Sequence, residues 1–466
     1  MKSARLKVVR GISTVALTAV ISLASCRLAC AKVTTVDSAG QTNVSEEDLI
    51  ITSNVDYESL DVNLLEDDAM LAIFGEGNEP DIVTVKVKDL MFTGVAGAAS
   101  NCLMIDSRGD LIVDGDVVFT TAYINLNAPA DHTDGSVKNR IVFNGPVRLE
   151  GKGIGFFNAN ELVTSSIDSA VTTSVTFNGE VSGEGGIDVG YQGITLNNPS
   201  NSFTGDVNAV CSMITLRGPG SLGRSEYMSL DDSFLSVIEG GEFDTPIEII
   251  NPSTVNAQND LVISSDIFGE GLYVGSVDGK TLSLEGDNSV TFMDVIWGRV
   301  DVNGDKTTQT FEGVGVNRGA TLGGNGTIDE YVMNYGTISP GTVDEIGTLT
   351  IMDDCFQYES SVLSVRIRGE ENDCLKVQGY TFFDASPVDE TVKPAVNISI
   401  ENPVMGKSYV ILTSRGVYGA ENVVLNVTES DAFDVEVAQD GRNLIVKVVE
   451  KKSDVSASTD DTAMID

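Results

Sequence analysis

Residues Gly319 to Ile351 read GATLGGNGTIDEYVMNYGTISPGTVDEIGTLTI. Three β-branched runs stand in this stretch: Thr327-Ile328, Thr337-Ile338 and Thr348-Leu349-Thr350-Ile351, each preceded by a glycine (Gly326, Gly336, Gly347). Such runs are very short strands joined by tight corners, where Gly and Asn accept a positive φ at little cost. They are too short and too close to build separate sheets. Each supplies instead one rung of a stacked coil in which every turn buries its neighbours.

Working outward, the same texture repeats. Ile141-Val142-Phe143-Asn144-Gly145-Pro146-Val147 returns, offset by 34, as Val175-Thr176-Phe177-Asn178-Gly179-Glu180-Val181. A longer echo, offset by 86, takes Val181-Ser182-Gly183-Glu184-Gly185-Gly186 to Ile267-Phe268-Gly269-Glu270-Gly271-Leu272, and Gly193–Leu196 to Gly279–Leu282. Asn201-Ser202 and Asn288-Ser289 follow with a one-residue slip. Short alternating runs (Val83–Val87, Leu103–Ile105, Leu111–Val113, Val117–Phe119) fill the chain from about Asp61, and no long segment has a 3.6-residue period, so helices are expected to be nearly absent. Trp297 falls in the apolar run Val295-Ile296-Trp297 and is expected to pack within a rung.

The phrases Gly324–Ile328 (G-N-G-T-I), Asn334–Gly341 (N-x-G-T-I-S-P-G) and Gly347–Ile351 (G-T-L-T-I), in this order, resemble the C-terminal part of bacterial autotransporter (type V secretion) passengers. Residues 181–223 are similar to an autotransporter-associated β-strand repeat. Asn372–Gly379 resembles the D-x-L-x-V-x-G rung of that family, and Gly406–Leu412 its G-x-Y-x-L-L strand. The resemblance implies an all-β chain: a right-handed parallel β-helix (a pectin-lyase-like solenoid) over 61–351, then C-terminal rungs and an autochaperone-like β cap over 352–450. The cap is expected to end in Phe433–Val437 and Leu444–Val449, joined by an Asp440-Gly441 hairpin turn. Residues 32–60 read as a polar lead-in with a first strand at Leu49–Ile51, and 451–466 as a disordered tail. Family members continue into an outer-membrane barrel. No run of alternating ten-residue strands follows Val449, so the expectation is a passenger-only protein with a translocator acting in trans, the product of a truncated gene, or a protein exported by another route.

The amino terminus reads as an export signal. Lys2, Arg5, Lys7 and Arg10 precede the apolar stretch Gly11–Ser25, and Ala29-Cys30-Ala31 places small residues for cleavage after Ala31. Leu23-Ala24-Ser25-Cys26 resembles a lipobox, which would leave a lipidated Cys26 instead; both outcomes export the chain. The 29 basic and 69 acidic residues give a net charge of −40. That balance argues against nucleic acid and against anionic membranes, and keeps an elongated β protein soluble. Export permits disulfides. Cys355 and Cys374, 19 apart, span about one solenoid turn and form a candidate bridge, with buried thiols as the alternative.

Ser107-Arg108-Gly109-Asp110 contains Arg-Gly-Asp between two apolar runs. A tight turn would present Arg108 and Asp110 outward, as integrin-type receptors read them, although the tripeptide is also ordinary turn chemistry. The nearest carboxylate pairs for acid–base work are Asp114-Gly115-Asp116 and Asp231-Asp232. His132 is the single histidine, in a polar turn with no nucleophile motif beside it, so a serine-protease triad is not expected. No catalytic residue, cofactor or metal site is assigned. The expected function is binding, as adhesion or surface display at the cell surface or outer membrane or in the medium, with a receptor or glycan of a host or neighbouring cell as partner. The competing expectation is a carbohydrate-active β-helix enzyme, a polysaccharide lyase or hydrolase.

Overall fold

The computed structural model describes residues 41–44, 49–51, 54–63, 71–73, 83–93, 102–106, 109–127, 139–158, 173–303, 308–311, 313–384, 392–428 and 432–451. They form a parallel β-helix, nearly all strand, divided into two compact units, Met1–Phe292 and Met293–Asp466. No helix among the described residues is long and apolar enough to cross a membrane.

In the first unit parallel pairing begins at Gln41–Val44, against Ser59–Val62 of the strand Val55–Asn63. Stacking thus reaches into the segment expected to be a loose lead-in. The strand Val83–Thr93 shows the governing pattern, with Val83, Val85, Val87, Leu90 and Phe92 buried and most residues between them turned out. Later turns become regular. Ile187 pairs with Val207, Val207 with Met228, Met228 with Ile247 and Ile247 with Ile267, so successive turns are offset by about 20 in sequence. Each fully buried Val, Ile, Leu or Phe contributes about 1.5–3 kcal/mol. Phe119, Phe143 and Phe177 meet edge-to-face or tilted inside the core, at centroid distances of 5.5 and 4.9 Å.

The echoes in the sequence are stacking events. Ile141 and Phe143 lie directly against Val175 and Phe177 on the next turn. The Asn-Gly that follows each run builds an exposed ladder: Asn144 Nδ2 donates to Asp114 Oδ1 (2.7 Å), Asn178 Nδ2 to Asn144 Oδ1 (2.8 Å) and Asn197 Nδ2 to Asn178 Oδ1 (3.1 Å). A Cβ at Gly179 would lie 1.8 Å from the Gly145 carbonyl oxygen, so the turns approach too closely for any side chain there. The second echo, offset by 86, marks another device. Buried Asn201 accepts the Val181 amide at 2.8 Å, and buried Asn288 accepts the Ile267 amide at 2.9 Å. These amides belong to the residues that open the two copies.

At another corner Tyr191, Cys211 and Asp232 hold positive φ of 58°, 47° and 47°, uncommon for such side chains. The residues that follow them lock the bend from inside. Ser212 and Ser233 amides donate to the next turn's Ser233 and Ser253 hydroxyls, both at 3.0 Å. Each serine hydroxyl donates back to the carbonyl two residues earlier, at 2.7–2.8 Å.

In the second unit the opening phrases occupy more than one column. Thr327-Ile328 stacks beneath Thr348–Ile351, whereas Thr337–Pro340 lies in a separate sheet, between Thr321–Gly324 and Val362–Arg368. The strand Val332–Asn334 joins a third column. Stacking crosses residue 351 without a break. The terminal hairpin lies where expected: Ser408–Thr413 pairs antiparallel with Asn443–Glu450, which pairs antiparallel with Phe433–Gln439 through Asp440-Gly441. Asp440 Oδ1 accepts the Arg442 and Asn443 amides (3.0 and 2.8 Å), and Gly441 takes φ 89°.

The Cys355–Cys374 bridge is corrected: both thiols are free. Neighbouring turns in this region are offset by 26, as Gly347 is from Asp373 and Asp354 from Tyr380. Thr348 accordingly pairs with Cys374, and Cys355 with Thr381. A spacing of 19 falls short of that turn, so the two cysteines stand in different columns. Burial pushes the Cys355 thiol up to about 12 and the Cys374 thiol up to about 11.

Candidate functional site: an aromatic face on the second unit

Four strands, Val332–Asn334, Cys355–Gln357, Tyr380–Phe383 and Gly416–Tyr418, pair in succession. Alternation sends Val332, Asn334, Cys355, Gln357, Thr381, Phe383 and Val417 inward, all buried. The opposite side of the same strands carries Met333, Phe356, Phe382 and Tyr418, stacked in register. Phe356 lies on Phe382 at 5.2 Å and 9°, and Phe382 on Tyr418 at 5.4 Å and 15°. Beside this column Tyr335 stacks on Tyr358 at 4.5 Å and 5°. Tyr380 tilts against Phe382 and Tyr418 and carries the Arg415 guanidinium 5.4 Å above its ring. Six of the chain's 29 aromatic residues (17 Phe, 11 Tyr, 1 Trp) share this surface, with Tyr335 and Tyr418 exposed at 38% and 53%.

The inner side holds the strands rigid. Asn334 Nδ2 donates to Gln357 Oε1 (2.7 Å), Asn334 Oδ1 accepts the Gly336 amide (2.9 Å), and Ser361 donates to Gln357 Oε1 (3.3 Å). Carboxylates border the outer side: Asp329, Glu330, Asp353 and Asp354 where the strands begin, Glu359 and Asp384 where they end. Glu359 pairs with Arg318 at 3.0 Å, and Asp354 Oδ1 accepts the Tyr380 amide at 2.7 Å. Burial, then Tyr335 and the Asp384 charge, push the Tyr358 phenol above its ordinary value.

The sequence-derived site residues do not converge here. Gly109 and Asp110 lie in the strand Gly109–Val113, with Asp110 only 6% exposed, so Asp110 is not presented outward; Arg108 lies outside the described residues. Cys26, Ala31 and His132 also lie outside them. Asp114 belongs to the exposed asparagine ladder, and Asp231 Oδ1 accepts from Asn251 Nδ2 at 2.6 Å. Asp232 sits at the left-handed corner near Cys211, whose thiol is pushed up to about 11 by burial and by the two aspartates. No three of the His, Cys, Asp and Glu side chains among the described residues are grouped to hold a metal ion. Trp297 lies at the end of its strand and outside the core. It is 39% exposed, and the chain turns at the next residue, Gly298 (φ 63°).

A second constellation explains why the opening phrases keep company. Gly324 and Gly341 exchange backbone hydrogen bonds (2.8 and 2.9 Å), and Arg299 Nη2 donates to the Gly341 carbonyl at 2.7 Å. Arg366 donates to the carbonyls of Thr342, Val343 and Glu345 and to fully buried Asp373, whose Oδ1 also accepts the Gly347 amide at 2.9 Å. Asp301, 2% exposed and 2.8 Å from Arg299 Nε, is pushed up to about 6 by burial against the pull of Arg299 and Arg366. Both arginines direct their donors to the 339–345 loop and to buried carboxylates. This corner knits turns together and offers no free acid–base pair.

Sequence held one signal for the aromatic face. Phe356-x-Tyr358 and Tyr380-x-Phe382 place aromatics two apart on the parity opposite to the core, where a solvated strand carries polar groups. No protein-family model matches the chain, and no curated protein matches it.

Proposed function

We propose that the chain is an exported β-helix protein of the autotransporter-passenger type, displayed at the cell surface or secreted, which acts by binding and not by catalysis. The observation that carries the binding reading is the rigid, half-exposed aromatic face. Tyrosine-rich surface patches over a fixed backbone are where binding energy concentrates. Asp114 and Asp231 accept from asparagine side chains and Asp232 sits at a left-handed corner, which favours adhesion or display over a carbohydrate-active enzyme. The export context rests on the sequence phrases and the basic-then-apolar amino terminus.

The test is adhesion of the purified chain beginning at Lys32 to intact host and bacterial cells. Saturable binding that falls about tenfold or more in Tyr335→Ser/Tyr418→Ser is expected. Cleavage of polysaccharide by the wild-type chain, with no cell binding, would overturn the reading.

A further inference from the structure

We infer that the aromatic face docks an extended, arginine-bearing segment of a partner protein; the inference rests on the binding reading above and names the partner's chemistry. The face joins stacked rings to carboxylates on both borders, within a chain of net charge −40. A second copy of so acidic a chain would bring like charge to the same border, which disfavours self-association. A sugar ring stacks on an aromatic face. Here Phe356, Phe382 and Tyr418 lie within 9° and 15° of parallel at 5.2 and 5.4 Å, so they cover one another's faces along the column and leave no run of open faces for successive sugar rings.

A guanidinium fits what is left. It is planar, lies over the ring that ends the column, Tyr418, 53% exposed, and pairs with carboxylate in two-pronged fashion, where an ammonium acts only as a point charge. The protein already contains one such contact on this surface, Arg415 over Tyr380. The strands of the face run three to four residues. At roughly 3.3 Å per residue the two carboxylate borders are therefore separated by about four positions of an extended chain. A segment lying along the strands reaches both with arginines four apart: one toward Asp354, which lies level with Tyr380, the other toward Asp384, its intervening residues over the ring edges.

The probe is a seven-residue peptide of serine and valine with arginines at its second and sixth positions. A lysine version and a version with adjacent arginines serve as comparisons, all measured by fluorescence anisotropy on the full mature chain. The arginine peptide should bind at least tenfold more tightly than either. Tyr335→Ser/Tyr418→Ser should abolish that preference, and Asp384→Asn should weaken it several-fold. Tyr418→Leu, which keeps apolar bulk, should also reduce it, so misfolding of a serine variant does not decide the result. Equal affinity for arginine and lysine peptides, unchanged by ring substitutions, would mean diffuse charge attraction and overturn the proposal. So would ring-dependent binding of cello- or xylo-oligosaccharides without peptide binding. If ring variants adhere to cells as the wild type does, this face is wrong while adhesion stands. If the wild type binds the peptide with its arginine preference yet adheres to no cell, the face holds and the adhesion reading fails.

Discussion

Replacing Asn201 with alanine tests how the repeated copies are held. The amide side chain joins two turns: its Oδ1 accepts the Val181 amide at 2.8 Å and its Nδ2 donates to the Ser221 carbonyl at 2.7 Å, with Asn201 7% exposed. Alanine leaves a buried donor and a buried acceptor without partners, at about 1–3 kcal/mol each. Relaxation and water entry reduce the sum, and about 2–4 kcal/mol of local stability should be lost. In a solenoid such a loss is felt mainly by neighbouring turns, so a global unfolding midpoint is a blunt readout. Native-state hydrogen exchange at the Val181 amide is sharper. It should accelerate about 30- to 1,000-fold, at roughly 1.4 kcal/mol per factor of ten, while the Ile267 amide, held by Asn288, keeps its protection. Asn288→Ala should do the converse. Acceleration below threefold at Val181, or equal acceleration at both amides, would refute the assignment.

Arg366→Ala should destabilise the second unit by about 3–5 kcal/mol in urea unfolding, because it strands the buried Asp373 charge; Asp373→Asn in the same background should recover part of the loss. Asp301 titrates near 6 in the folded chain against an ordinary 3.8. Protonation is therefore favoured by folding, and the Asp301 contribution, on the order of 3 kcal/mol, is fully present below about pH 4 and lost as pH rises through 6. Asp301→Asn should remove that component from the pH profile of unfolding, and an unchanged profile would refute it. With thiols pushed up to about 12 (Cys355) and 11 (Cys374), iodoacetamide at pH 7.5 should label neither in the native protein, both should react after unfolding, and no mass change on reduction should map to this pair.

The parts of this fold legible in the sequence are those written in short-range chemistry. Gly145 and Gly179 announce close approach, Asn201 and Asn288 mark equivalent buried anchors, and strand alternation separates the inside from the outside. What failed was everything dependent on turn length. One constant offset per turn suits the series from Ile187 to Ile267 but not the second unit. There Phe356 meets Phe382 after a longer turn, and Phe382 meets Tyr418 after one longer still. Loops leave the rungs at will, so sequence spacing does not reveal which side chains stack. The same assumption put Cys355 and Cys374 forward as a candidate bridge, beside the buried-thiol alternative, and hid the aromatic face. Arg-Gly-Asp misled differently: turn propensity suggested a corner, but Gly109 and Asp110 joined a strand that pairs along Val83–Val87.

Hydroxyl-radical footprinting of the mature chain on intact cells, read by mass spectrometry, tests the binding claim most directly. Tyr335, Tyr358 and Tyr418 should lose most of their oxidation when the protein is bound, while exposed Trp297 serves as an internal reference and stays unchanged. Unaltered oxidation of the three tyrosines in the bound state, or protection centred on Trp297, would contradict the account.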